Sequence, residues 1–215
     1  MSIIEYSQRL LNAGQLDTQE VQDILAGKYT EQELRTKYGK LPPDTHPART
    51  AVIEAAKAIP DALSETTLYA DYVELFTASL TRFLHLDALI VPTPVSVAEI
   101  EKEDGMWAVA QHITGDVSIV DGLLARDEVF LTLASRYSGE DLKEVDSDAI
   151  DSLEEFLNVI NGLYIVQLAN RKIEPDLDFP LSGHDIIPRG SHQLVLRLYT
   201  EAGDFLLILS ADAFL

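Results

Sequence analysis

Glu155 and Asn158 are the residues of this chain whose types and spacing could do chemistry. Asp151, Glu155, Asn158 and Gly162 stand at i, i+4, i+7 and i+11. At about 100° per residue, that spacing puts all four on one narrow stripe of a helix. Leu153, Leu157, Ile160 and Tyr164 project from the opposite side. One face is therefore predicted to be buried, and the other, with its carboxylate and carboxamide, to look outward. The chemistry on offer is that of an anion beside a neutral hydrogen-bonding amide. Taken alone, a Glu-x-x-Asn pair arises about once per chain of this size by chance. Without further context, a solvated helix face is the better account of it.

Other chemistries find less support. The five histidines (His46, His85, His112, His184 and His192) are spread over separate elements without metal-ligand spacing. No G-x-G-x-x-G, Walker A or G-x-S-x-G pattern occurs, so nucleotide folds and serine hydrolases lack a motif. The chain has no cysteine, which removes disulfides, thiolate metal sites and Cys nucleophiles. Asp146-Ser147-Asp148 with Asp151 resembles part of a calcium loop but lacks its central glycine and closing glutamate. It reads instead as a helix cap, where acidic residues favour the dipole. The formal net charge is −20, of which residues 65–215 hold −18. Phosphate contacts need Lys and Arg clusters, so neither nucleic acid nor an anionic membrane is an expected partner. The acidity serves solubility or steers a basic or cation-carrying partner. Met1 to Ile4 run straight into Glu5 with no leader pattern, and no apolar run reaches the length of a membrane span. A cytoplasmic location is expected.

The elements that must hold the stripe follow from periodicity. Residues 1–59 read as short helices: Tyr6, Leu10 and Leu11 before Gly14, then Val21, Ile24 and Leu25 before Gly27. A capping box at Thr30–Glu33 comes next, and an Ala-rich helix from Ala48 follows the break at 39–44. From Ser64 a long stripe of Tyr69, Tyr72, Val73, Phe76, Leu80, Phe83 and Leu84 predicts an amphipathic helix. Strands are expected at 88–97 (interrupted by Pro92 and Pro94), 107–114 and 117–124, the last two joined by a turn at Gly115-Asp116. A helix at 126–137 precedes the motif helix, which runs to Asn170. A strand at 173–181 and a hairpin, 193–200 with 205–210, close the chain. The last strand is a candidate for an exposed edge that pairs with another copy. Apolar residues make up 47%, enough for a core. Two long amphipathic helices packed on a mainly antiparallel sheet make an α+β fold, 65–215, with a small helical N-terminal extension, 1–64.

Asp151-x3-Glu155-x2-Asn158-x3-Gly162, with Pro180 about one strand downstream, resembles the signature of the CheC/CheX/FliY family of chemotaxis phosphatases. The order of elements over roughly 65–212 resembles a CheX-like domain. The sequence departs from the pattern at Phe156 and Leu157, which are bulky, and at Asn161, where a small side chain is common. The first long helix has Glu74 followed by Thr77, not Asn, so a single motif is present, as in CheX. The resemblance implies a phosphatase acting on the phospho-aspartate of a CheY-type response regulator. Asn158 would orient the attacking water, and Glu155 would pair with the regulator's active-site lysine. The chain would need no cofactor of its own, since Mg would sit in the regulator's active site. A homodimer is also implied. Asp151 and Gly162 on the stripe, with Val159, Ile165 and Val166 as an apolar rim, are the expected partner-binding residues. The rival reading is a non-catalytic CheX-like binding or assembly module.

Overall fold

Capping chemistry sets the first helices. Ser2, Asp17 and Thr30 each accept a hydrogen bond from the backbone N–H of Glu5, Glu20 and Glu33, whose carboxylates accept the cap's own N–H in return. They open α1 (Ile3–Asn12), α2 (Thr18–Leu25) and α3 (Glu31–Tyr38), and Pro47 begins α4 (Pro47–Ala56). The computed structural model describes residues 2–57, 66–91, 105–186, 189–190 and 193–212. Next come α5 (Thr66–Ser79) with a closing π turn, β1 (Leu89–Ile90), β2 (Met106–Gly115), β3 (Ile119–Arg126), α6 (Asp127–Ser138) and α7 (Ser147–Asn170). The chain ends in β4 (Pro175–Leu177), β5 (Leu181–His184), β6 (Gln193–Thr200) and β7 (Gly203–Ser210). The strand expected at 88–97 is described only as β1, and Pro92 and Pro94 lie outside the described residues. No described helix is long and apolar enough to cross a membrane.

The sheet runs β1-β6-β7-β3-β2-β4, with β5 also on β2, and every described pairing is antiparallel. The last strand is not an edge. Its outer side pairs with β3 from Val120 to Leu124, because Phe205 to Leu209 form an apolar run that both faces of a central strand can bury. β4 and β5 instead line the outer side of β2, and the chain between them bends at Asp178–Pro180. The Gly115-Asp116 turn demands its glycine. Gly115 has φ +97, and a Cβ there would meet the Glu174 carbonyl oxygen at 2.3 Å.

Both long helices lie on one face of the sheet. Tyr69, Tyr72, Val73 and Phe76 of α5 meet Leu153, Phe156, Leu157, Ile160 and Tyr164 of α7 in the main core. The Tyr72 and Tyr164 rings pack edge to face at 5.2 Å, and those of Phe76 and Phe156 at 6.1 Å. Phe156 and Leu157, the bulky departures from the family pattern, are thus core residues under α7 and leave its outer stripe untouched. Burial of such side chains contributes about 1.5–3 kcal/mol each. That fixes the rotation of α7 about its axis, and with it the direction of Glu155 and Asn158.

The N-terminal helices attach at the far edge. Ala51, Val52 and Ala55 of α4 join the main core beside α5, while Tyr6, Leu10, Val21, Ile24 and Leu34 form a smaller cluster that closes on Leu89 and Tyr199. Gln8 completes the attachment. Its Nε2 donates to the Ile90 carbonyl at 2.7 Å and its Oε1 accepts the Ile90 N–H at 2.7 Å. The side-chain amide therefore stands where a further strand would pair, which covers the open edge of the sheet. Gln8 and Ile90 are both buried. Gln8→Ala is expected to destabilise the fold by about 2–4 kcal/mol, because two buried backbone groups lose their partners. Urea unfolding measures this, and a change under about 0.5 kcal/mol would show that water replaces Gln8 there.

Candidate functional site

The stripe lies where periodicity puts it. Asp146 caps α7 by accepting from the backbone of Asp148 and Ala149, and the helix continues unbroken to Asn170. Asp151 and Glu155 are exposed, and Asn158 and Gly162 are half-buried on the same face. Beyond them the helix borders a groove of about 500 Å³. Asp151, Glu154, Glu155 and Asn158 form one wall, and Leu177, Asp178, Phe179 and Pro180 form the other. No residue of the N-terminal helices lines it. Glu155 and Asn158 thus stand side by side with open space above them.

The groove is acidic and its rim is apolar. Four carboxylates, those of Asp151, Glu154, Glu155 and Asp178, line it without a Lys or Arg among the lining residues. Such a field favours an approaching cationic side chain. Phe179 is 92% exposed at the bend between β4 and β5, and Leu181 beside it is also exposed. Val166 of the expected rim is exposed and Val159 is half-buried. Ile165 is a correction: it packs partly against the main core. It lies one turn beyond Asn161 and one turn before Leu168, on the flank of the buried row. Gly162 has open space where a Cβ would stand, so nothing within the fold requires a glycine. Pro180, the distant member of the signature, comes to the groove through the bend of the outer strand. His192 lies outside the described residues, and among those described no cluster of three His, Asp or Glu side chains forms a metal site.

Beneath Asn158 a chain of polar side chains enters the core. Gln111 of β2 donates from Nε2 to Asn158 Oδ1 at 2.9 Å and to the Asp178 carbonyl at 2.8 Å. Asn161 Nδ2 donates to Gln111 Oε1 and to Asp121 Oδ1, both at 2.9 Å. Tyr72 of α5 closes the series by donating to Asp121 Oδ2 at 2.7 Å. Asp121 and Asn161 are fully buried. Burial raises the Asp121 carboxyl to about 7, against the opposing pull of the Tyr72 and Asn161 hydrogen bonds. Sequence reasoning singled out neither Gln111 nor Asp121. Their signal is the alternation of two strands: Val109, Gln111 and Ile113 share a face, as do Ile119, Asp121 and Leu123. Two polar residues sit at core positions, and the strand register sets them directly opposite each other.

Residues 107–198 match the family described as Chemotaxis phosphatase CheX. That segment includes Gln111, Asp121, Glu155, Asn158, Asn161 and Pro180. No functionally curated protein matches the chain. Among solved structures, the fold is similar to a chemotaxis protein CheX from Desulfovibrio desulfuricans, at 15% identity and a TM-score of 0.53, over 66% of this chain and 96% of that one. It is similar to CheX from Vibrio vulnificus at 11% identity and a TM-score of 0.52, over 65% and 92%. It is also similar to a chain in the CheX-CheY-BeF3-Mg complex from Borrelia burgdorferi, at 17% identity and a TM-score of 0.52, over 64% and 92%.

Proposed function

We propose that this chain, whose residues 107–198 match the chemotaxis phosphatase CheX family, dephosphorylates the phospho-aspartate of a CheY-type response regulator. The observation that carries the reading is the pair Glu155 and Asn158, side by side on the exposed stripe of α7 above an uncovered groove. An acyl phosphate is already activated, so the chemistry asks mainly for a positioned water. The water oxygen bonds to phosphorus, the bond from phosphorus to the aspartyl oxygen breaks, and the carboxylate leaves with the electron pair. Asn158 orients the water as a neutral amide that does not repel the phosphoryl group. Glu155 docks the regulator by pairing with its active-site lysine, within the acidic field of Asp151, Glu154 and Asp178. The divalent cation is the regulator's own. In the Borrelia burgdorferi complex a CheX and a CheY are held together with BeF3 and Mg. A homodimer of this chain would have to leave α7 and the groove uncovered.

The test is phosphate release from a phosphorylated CheY-type regulator with and without the chain. Release should accelerate in proportion to added chain, and Asn158→Ala should lose the acceleration. No acceleration by the wild type rejects the reading. Binding of the regulator without acceleration assigns the chain to the non-catalytic class. Gly162 supplies a second test. Gly162→Ala should stabilise the fold by up to about 1 kcal/mol, since the helix gains propensity and nothing is struck. The same variant should weaken regulator binding, because a methyl group would stand where the partner approaches. Unchanged affinity at raised Tm would remove Gly162 from the docking face.

A further inference from the structure

We propose that Gln111 is a positioning residue that fixes which end of the Asn158 carboxamide faces the groove, so that Asn158 meets the attacking water as a hydrogen-bond donor. The inference rests on the phosphatase reading above. The bonds run in one direction because a backbone carbonyl has a single role. The Asp178 oxygen can only accept, so the Gln111 atom that meets it at 2.8 Å is Nε2. The second hydrogen of that nitrogen points at Asn158, and the atom receiving it at 2.9 Å has to be Oδ1. Reversing Asn158 would set its Nδ2 against Gln111 Nε2, two donors face to face. Reversing Gln111 to match would set Oε1 against the Asp178 carbonyl.

The far side of Gln111 reinforces this. Its Oε1 accepts from Asn161 Nδ2, whose other hydrogen goes to Oδ1 of the Asp121 carboxyl group. Both donors of Asn161 are thereby engaged. Its Oδ1 is buried with no donor among the described residues, the orphan left by committing the amide to this direction. Turning Asn161 over would point that oxygen at Gln111 Oε1 and at Asp121. Asn161, the amide at a position where the family tends to carry a small residue, thus holds Gln111, and Gln111 holds Asn158.

The consequence reaches the groove. With Oδ1 engaged inward, Nδ2 is the end of the Asn158 amide left for the groove that Asn158 lines. A water held by Nδ2 accepts through one lone pair and keeps the other for phosphorus. Its protons pass to solvent as the bond from phosphorus to the aspartyl oxygen breaks. Without Gln111, the broad torsion of an Asn side chain would let the amide turn over freely.

Gln111→Met removes donor and acceptor at similar side-chain length. With a phosphorylated regulator as substrate, kcat should fall about 10- to 100-fold while KM stays within about twofold. In NMR relaxation, the Asn158 side-chain amide, assigned by its absence in Asn158→Ala, should be as rigid as the backbone in the wild type and mobile in Gln111→Met. A variant that keeps wild-type kcat, or loses rate only through KM, overturns the proposal. Hydrogen exchange on the wild type decides it even if the variant fails to fold. The Gln111 Nε2 hydrogens should be protected and those of Asn158 Nδ2 should exchange freely, and the reverse pattern overturns the assignment. A wild type without turnover would reject the phosphatase reading, and the exchange pattern would still decide the amide's orientation.

Discussion

Asn158→Ala is expected to lower regulator dephosphorylation by at least about 100-fold, the order found when one pre-organised hydrogen bond to a reacting group is removed. The regulator should still bind with affinity changed by no more than about threefold, since docking rests on Glu155 and the groove. The fold should survive the change. Asn158 is half-buried, and Gln111 keeps its bond to the Asp178 carbonyl when the Asn158 amide is gone. The single hydrogen bond lost costs about 1 kcal/mol, and alanine returns part of that as helix propensity. Glu155→Ala should divide the other way. It should raise KM and flatten its dependence on salt, with a smaller effect on kcat, because an exposed ion pair is screened and acts mainly on association. Phosphate release at varied regulator concentration separates the two. Loss of binding in Asn158→Ala, or an unchanged rate, would reject the division of roles.

The second large effect is on stability and follows from Asp121. Its folded-state value of about 7 lies well above the ordinary 3.8, because burial disfavours the anion. Below pH about 4 the carboxyl is protonated in both the folded and the unfolded chain, and its ionisation takes nothing from stability. Between about 4 and 7 the unfolded chain ionises while the folded one holds its proton, so stability falls as pH rises. Above 7 the loss is complete and amounts to about 4 kcal/mol. Asp121→Asn should abolish this slope. At pH 4 the variant should be the less stable of the two, since an amide cannot match both the Tyr72 and the Asn161 hydrogen bonds. At pH 8 it should equal or exceed the wild type. Urea unfolding of both proteins across pH 4–8 measures the difference and cancels the other carboxylates. Parallel curves would show that Asp121 titrates near its ordinary value.

Much of this molecule is legible in local pattern. The acidic cap at Asp146, the 3.6-residue spacing of Leu153, Leu157, Ile160 and Tyr164, and the turn at Gly115 are consequences of a few neighbouring residues. The same holds for the outward stripe of Asp151, Glu155 and Asn158, because helical geometry is set by the backbone alone. The resemblance to the chemotaxis phosphatases added a role for that stripe, and the family match covers the segment that carries it.

What local pattern could not supply was everything that depends on which strands are neighbours. Gln111 and Asp121 come opposite each other only through strand register. Asn161 joins them only because α7 crosses that point of the sheet, and Pro180 reaches the groove because β4 and β5 fold back along β2. The last strand, a candidate edge by sequence, is interior because β3 pairs with it. Glu155 and Asn158 therefore owe their placement to two different sources. The sequence by itself determined that Glu155 and Asn158 share an exposed face, since helical periodicity is local. Only the tertiary structure decided which end of Asn158 faces the groove, since buried polar groups must be matched across elements far apart in the chain.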